Sequence, residues 1–136
     1  FLQNIITDLL LGYEVKDIFY EYCEHIRKQY NATPGLITQN MPRLKRKLED
    51  WGIENVAICC SYNKIGYLMS PDINSYIESS SNNDPSKYQL MAMSTLASGA
   101  ISANEAFTFI NKQKLQSIVF GASSRQHIQQ TVSLIK

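Results

Sequence analysis

Apolar residues along this chain follow two different spacings, and each spacing predicts a different kind of element. Between residues 15 and 30 they recur every three or four positions, which places Val15, Phe19 and Cys23 on one face of a helix. Between Val56 and Cys60 they are continuous, as in a strand that is buried on both faces. The chain is therefore predicted to contain amphipathic helices and buried strands.

Four strands, each followed by a helix, are predicted after two N-terminal helices. The predicted helices cover residues 1–11, 15–30, 41–51, 73–78, 103–112 and 125–135, and the predicted strands cover residues 36–38, 56–60, 88–93 and 117–120. Asn40 is expected to cap the third helix, and residues 79–86 are expected to form a mobile loop, with its role as a lid left open. Strands and helices that alternate at this spacing predict a parallel sheet with right-handed crossovers.

Two α/β architectures are built from such units. Four βα units make half of a (βα)8 TIM barrel, and they also make an open doubly wound parallel sheet. We predict the first, a single half-barrel domain over residues 1–136 that corresponds to the C-terminal half of a longer barrel; the doubly wound sheet is the alternative. Because half a barrel leaves two sheet edges unpaired, we expect it to pair with a missing N-terminal half or with a second copy.

Composition and charge exclude several classes of partner. Thirteen Lys and Arg against twelve Asp and Glu give a formal net charge of +1, which argues against nucleic acid and against an anionic membrane. No apolar run approaches the roughly 20 residues that span a bilayer. The three cysteines, Cys23, Cys59 and Cys60, lack a Cys-x-x-Cys spacing and are interpreted as packed thiols of a cytoplasmic protein. No His, Cys, Asp or Glu cluster has metal-ligand spacing, so no metal is expected.

Two segments that follow predicted strands have related compositions, LASGAIS at residues 96–102 and IVFGASS at residues 118–124. A glycine at a strand end lets the backbone approach an anion, and a helix that begins directly afterwards offers unpaired N–H groups. Ser102 and Glu105 have the spacing of a capping box, and Ser123 or Ser124 is expected to cap the last helix. A serine that caps a helix is less free to hold phosphate. Together, the two segments predict a phosphate site.

The stretch LMAMSTLASGAISANEAFTFINKQKLQSIVFGASSRQHI, residues 90–128, resembles the seventh and eighth βα units of the phosphate-binding TIM barrels. The residues that match the two phosphate loops of that family are Ser98, Gly99 and Ala100 in the first loop, and Gly121, Ala122, Ser123 and Ser124 in the second. The resemblance implies a barrel that binds the phosphate group of a small molecule. Ala100 departs from the family, since many members have a second glycine there.

Two groups of enzymes with this fold show a more specific resemblance. In class I aldolases of the deoxyribose-phosphate type, a Schiff-base lysine follows the sixth strand, and Lys64 in SYNKIG occupies the corresponding element. That resemblance implies a lyase or isomerase for a small phosphorylated carbonyl compound that needs no cofactor, with Asn63 and Lys64 as catalytic residues. Gln39 and Asn40, which follow the first predicted strand, are expected to face the reacting part of the substrate beside them.

The second group is the aldo-keto reductases, whose GASS-like segment grips the adenosine phosphate of NADPH. The segment GASSR is similar to it, which implies that Arg125 contacts that phosphate and that NADPH is the cofactor. A third alternative is a noncatalytic half-barrel whose exposed edge binds another protein.

Overall fold

The computed structural model describes all 136 residues, from Phe1 to Lys136. Its four strands form one sheet in the order β1-β2-β3-β4, and every neighbouring pair is parallel. The strands are β1 (Gly35–Thr38), β2 (Val56–Ser61), β3 (Tyr88–Met93) and β4 (Ser117–Ile118). Leu2 adds one parallel bridge to the outer edge of β1, through its partner Leu36. The predicted α/β class with an all-parallel sheet is confirmed.

Six α-helices accompany the sheet, and two of them precede β1. They are α1 (Asn4–Gly12), α2 (Lys16–Tyr30), α3 (Met41–Trp51), α4 (Ile73–Ser81), α5 (Ala103–Ile110) and α6 (Arg125–Leu134), and a short 3-10 turn covers Ala97–Gly99. None of these helices has both the length and the apolar character that crossing a bilayer requires. The predicted order of elements agrees with the structure throughout.

Several predicted boundaries were wrong: α1 begins at Asn4 rather than at residue 1, and α5 ends at Ile110 rather than at residue 112. Helix α4 continues past residue 78 to Ser81, because Ser80 is buried and its hydroxyl lies 3.0 Å from the Tyr62 hydroxyl, a tertiary contact that extends the helix. The predicted mobile loop is therefore shorter than residues 79–86. Strand β4 ends at Ile118 rather than Phe120, since only the Val119 N–H continues the pairing, to the Ala92 carbonyl.

The hydrophobic core lies on one face of the sheet. Side chains alternate between the two faces of a strand, and the core contains Leu36 of β1, Ile58 of β2 and Leu90 of β3, which share one face. The helices from α1 to α5 contribute buried residues to the same cluster; these are Leu11, Phe19, Cys23, Met41, Leu44, Leu48, Tyr76 and Ile110. Helix α6 has no buried residue. The opposite face of the sheet therefore lies outside this core.

Local sequence signals explain where the helices begin and end. The predicted cap Asn40 accepts a hydrogen bond from the Arg43 N–H and starts α3, and Gly52 ends that helix in the left-handed region with φ 69°. Asp72 caps α4 by accepting from the Ser75 N–H. Ser102 and Ser124 cap α5 and α6 in the same way. The turns at the carboxyl ends of the strands are thus fixed by short polar side chains.

The Tyr76 hydroxyl ties α4 to the end of β1, and its removal should destabilise the fold. It donates to the Gln39 carbonyl at 2.9 Å and accepts from the Met41 N–H at 3.2 Å, and Tyr76 is 0% exposed. Because Tyr76→Phe leaves the buried Met41 N–H without this acceptor, we expect the free energy of unfolding in urea to fall by about 1–3 kcal/mol. Tyr20→Phe is the matched control, since Tyr20 is 50% exposed and its hydroxyl has no partner in the chain. Equal unfolding midpoints for the two variants would contradict this role.

Candidate anion-binding site

The carboxyl ends of all four strands meet at one edge of the sheet, because the strands are parallel. The segments that leave this edge are residues 39–40, 62–72, 94–102 and 119–124. Strands β3 and β4 are neighbours, with Met91 opposite Ser117 and Ala92 opposite Ile118. Neighbouring strands lie about 4.8 Å apart, so the two segments rich in Gly, Ala and Ser leave the sheet side by side.

The segment between β4 and α6 presents a run of free backbone donors. The N–H groups of residues 121–126 have no hydrogen-bond acceptor within the chain, and the six residues are exposed. Ser124 uses its hydroxyl to cap α6, and the Ser123 hydroxyl lies 3.4 Å from His127 Nδ1. The positive end of the α6 dipole and the charge of Arg125 lie at the same place. This segment can bind an anion mainly through its backbone.

The segment between β3 and α5 has an unusual backbone. Ser94, Ala97 and Ser98 have positive φ values of 54°, 48° and 59°, and Gly99 follows at 89°. Non-glycine residues adopt this region rarely. Of the three predicted phosphate ligands here, Gly99 and Ala100 donate their N–H groups to the carbonyls of residues 96 and 97. Ser98 and residues 101–104 keep N–H groups that have no acceptor in the chain. This segment can therefore add donors to those of the segment between β4 and α6.

Lys64 follows β2 and is held by α5. Its Nζ donates to Glu105 Oε1 at 2.6 Å, and both side chains are nearly half exposed, at 49% and 44%. The predicted capping box is therefore only half formed: Ser102 accepts from the Glu105 N–H, but the Glu105 carboxylate pairs with Lys64. The two residues lie in a groove of about 440 Å³, lined by Lys64, Ser102, Asn104, Glu105, Thr108, Phe109 and Lys112.

Asn63 is fully buried, and its amide group fastens the loop that carries Lys64. Its Oδ1 accepts from the Tyr67 N–H at 2.8 Å, and its Nδ2 donates to the Tyr67 carbonyl at 2.8 Å. Nδ2 also lies 3.4 Å from the carbonyl of Ser94, the residue that opens the next loop. These bonds occupy the Asn63 amide, so the side chain positions Lys64 and ties its loop to β3.

Asn40 and an unpredicted carboxylate, Asp8, lie at the end of β1. Asn40 Oδ1 is occupied by the Arg43 N–H at 3.2 Å, which is its capping bond. Asp8 of α1 accepts from the Gln39 N–H at 3.0 Å and from the Thr38 hydroxyl. Sequence reasoning missed Asp8 because α1 precedes the first predicted strand, and no local motif links the two segments. Asp8 places a negative charge at this end of the sheet.

The cysteines are all free and buried. Burial raises the pKa of the Cys23 thiol to about 11, and it also raises the pKa of Cys59 and Cys60. No group of three or more His, Cys, Asp or Glu side chains is arranged to hold a metal ion. The polar chemistry at this edge therefore lies in backbone amides, hydroxyl and amide side chains, and the Lys64–Glu105 pair.

Comparison with known proteins adds no assignment: no family model matches the chain, and neither the curated proteins nor the solved structures give a match.

Removal of the Asn63 amide should free the loop that carries Lys64. In Asn63→Ala the Tyr67 backbone loses both its bonds to the side chain, so local opening becomes easier. We expect trypsin to cleave after Lys64 about tenfold faster than in the wild type, which corresponds to about 1.4 kcal/mol of lost local stability. Asn74→Ala, at an exposed position of α4, is the control. Unchanged cleavage in Asn63→Ala would show that the amide does not hold this loop.

The Cys23 thiol should make stability depend on pH in the alkaline range. Its pKa is raised from about 9 to about 11 in the folded state, so folding favours the neutral thiol. Below pH 9 the thiol is neutral in both states, and its full contribution to the free energy of unfolding is present. Above that pH the unfolded state loses the proton first, and the contribution falls by about 1.4 kcal/mol per pH unit until pH 11. We expect the difference in unfolding free energy between wild type and Cys23→Ala to shrink over this range. Parallel pH profiles would refute the assignment.

Proposed function

We propose that the adjacent ends of β3 and β4 bind the phosphate group of a small phosphorylated carbonyl compound. The run of N–H groups without acceptors at residues 121–126 carries this proposal. Phosphate oxygens accept hydrogen bonds from such amides, and the helix dipole and Arg125 favour the negative charge. The free amides of Ser98 and of residues 101–104 leave the neighbouring strand and supply further donors.

The proposed setting for this site is the C-terminal half of a (βα)8 barrel. Two observations support it over a doubly wound sheet. The four strands are paired in chain order without the reversal that a doubly wound sheet contains, and the helices from α1 to α5 share one core on one face. A closed barrel would require four further βα units, which an N-terminal half or a second copy of the chain would supply. The outer edge of β1 already pairs in parallel with Leu2.

The proposed chemistry is that of an aldolase-type lyase or isomerase without a cofactor. Lys64 is the candidate nucleophile: its neutral amine would attack the carbonyl carbon of the substrate and form an imine, with the carbonyl oxygen leaving as water. Before that attack, Lys64 must separate from Glu105, whose carboxylate is within 2.6 Å to accept the ammonium proton. Asn63 supports this step by holding the loop rather than by touching the substrate.

A second candidate is an NADPH-dependent reductase, and one feature favours it. Arg125 is exposed at the start of α6 and forms no salt bridge, so its guanidinium is available for an additional phosphate. Quenching of NADPH fluorescence by the protein would support the reductase. If the protein binds neither phosphate nor NADPH but associates tightly with itself or with another protein, that result would support the third alternative, a noncatalytic half-barrel that binds protein.

Gly121→Val tests the phosphate site. A side chain at this position would meet no atom of the protein within 4 Å, so the variant should fold normally. It would, however, stand among the amides of residues 121–126, where the phosphate is proposed to lie. We expect inorganic phosphate binding, measured by calorimetry, to weaken at least about tenfold, the equivalent of 1.4 kcal/mol. Gly12→Val, also at a position with no atom within 4 Å, should bind as the wild type does. Unchanged binding in Gly121→Val would refute the site.

Lys64→Ala tests the proposed nucleophile separately from the phosphate site. Borohydride reduction in the presence of glyceraldehyde 3-phosphate should attach the sugar covalently to the wild type, and mass spectrometry should locate it on Lys64. Lys64→Ala should lose this product and keep its affinity for inorganic phosphate. Lys112→Ala, which alters another lysine of the same groove, should still be trapped. Trapping in Lys64→Ala at the wild-type level would dismiss Lys64 as the nucleophile.

A further inference from the structure

The sheet face opposite the core ends in one row of three side chains, at the edge where the proposed phosphate loops leave. These are Gln39 after β1, Ser61 at the end of β2 and Met93 at the end of β3. Thr38 pairs with Cys60, which places Gln39 beside Ser61, and Ser61 pairs with Met93. Their side chains point away from the core, since they alternate with core residues along each strand.

Ser61 has a hydroxyl that the fold does not use. The residue is 0% exposed, and its Oγ has no hydrogen-bond partner. Buried hydroxyl groups in native proteins nearly always have a partner, because an unmet one is destabilising. The neighbouring Gln39 is half buried, and its side-chain amide also forms no hydrogen bond within the chain. Two neutral groups, each able to donate and to accept, therefore stand side by side without protein partners.

The nearby polar groups differ in this respect. The Thr38 hydroxyl bonds to Asp8, and the Asn63 amide bonds to the Tyr67 backbone. The fold thus satisfies these two side chains and leaves the hydroxyl of Ser61 and the amide of Gln39 free. A group from outside the chain is the remaining partner for Ser61 and Gln39.

The charges around Ser61 and Gln39 indicate which chemical group from outside the chain would bind them. The face that carries the row has no charged side chain; its other members are Gly35, Ile37, Ala57, Cys59, Gln89, Met91 and Ser117. The Asp8 carboxylate accepts from the Gln39 N–H and would repel an acidic group placed at the row. A hydroxyl or carbonyl oxygen suits this place, and a carboxylate does not.

We propose that Ser61 and Gln39 bind the hydroxyl or carbonyl oxygens of the same ligand whose phosphate lies on the β3 and β4 loops. This inference rests on the proposed function and narrows the ligand to a phosphorylated polyhydroxy compound. Ser61 lies one strand from the β3 loop and two from the β4 loop, roughly 5 and 10 Å by strand spacing. A short carbon chain with several hydroxyl groups spans that range. Because Ser61 is buried, the side chains that cover it must move before a ligand reaches its hydroxyl.

The test compares a phosphate that carries a polyol chain with one that carries a single methyl group and no hydroxyl group on carbon, and it uses the full-length protein. Ribitol 5-phosphate carries a polyol and has no carbonyl group, so it binds without reacting with Lys64, and methyl phosphate carries the phosphate alone. The wild type should bind ribitol 5-phosphate more tightly. In Ser61→Ala the Kd for ribitol 5-phosphate should rise about tenfold, and that for methyl phosphate should change less than twofold.

Two further variants keep the test decisive. Gln39→Met removes the side-chain amide while preserving side-chain volume and the backbone N–H that bonds to Asp8, and it should give the same selective loss. Ser117→Ala makes the same substitution as Ser61→Ala on the same face, one row below the edge, and should alter neither Kd. Thermal unfolding of Ser61→Ala should occur at no lower temperature than in the wild type, since it removes a hydroxyl without a partner.

The outcomes separate the two proposals. If the wild type binds both phosphates equally, or if Ser61→Ala weakens both by the same factor, the polyol site is refuted and the phosphate site stands. If neither phosphate binds the wild type, the proposed function fails and the polyol site fails with it. A loss confined to ribitol 5-phosphate in Ser61→Ala and Gln39→Met supports the inference.

Discussion

The structure depends on the packing of helices against one face of a parallel sheet. Parallel strands in chain order need crossovers of one hand, and here the helices from α1 to α5 bury their apolar sides against Leu36, Ile58 and Leu90. Every strand therefore releases the chain at the same edge, and the face opposite the core is left for small or flexible residues such as Ala57 and Met91. The position of the candidate site and the placement of the opposite face outside the core are both consequences of this packing.

Periodicity and turn chemistry predicted most of the fold because they act locally. The continuous apolar run of β2 and the Asn40 cap of α3 are readable from a few adjacent residues. The end of α4 was not readable, since Ser80 stays helical through a contact with Tyr62, which is far away in the sequence. The pairing of Asp8 with the end of β1 was hidden for the same reason. Polar contacts between residues far apart in the sequence produce no periodic pattern in the sequence.

The placement of the two Gly-Ala-Ser segments was easier to predict from the sequence than the contacts that their side chains make. The Gly-Ala-Ser segments do lie side by side at one edge, as parallel strands require. Two of the serines, Ser102 and Ser124, use their hydroxyl groups to cap helices. The backbone amides beside them are therefore the stronger candidates for binding an anion. The Lys64–Glu105 pair was missed because the capping-box spacing predicts a different partner for Glu105. A side chain with two possible partners is settled only by the tertiary structure.

The most direct measurement is a titration of the isotopically labelled protein with inorganic phosphate, followed by the backbone amide signals in nuclear magnetic resonance spectra. We expect the largest shifts for the amides of residues 121–126, where the N–H groups have no acceptor in the chain, and smaller shifts for Ser98 and residues 101–104. Shifts centred instead on helix α3, which carries Arg43, Lys45, Arg46 and Lys47, or no saturable shift at all, would contradict the proposed anion site.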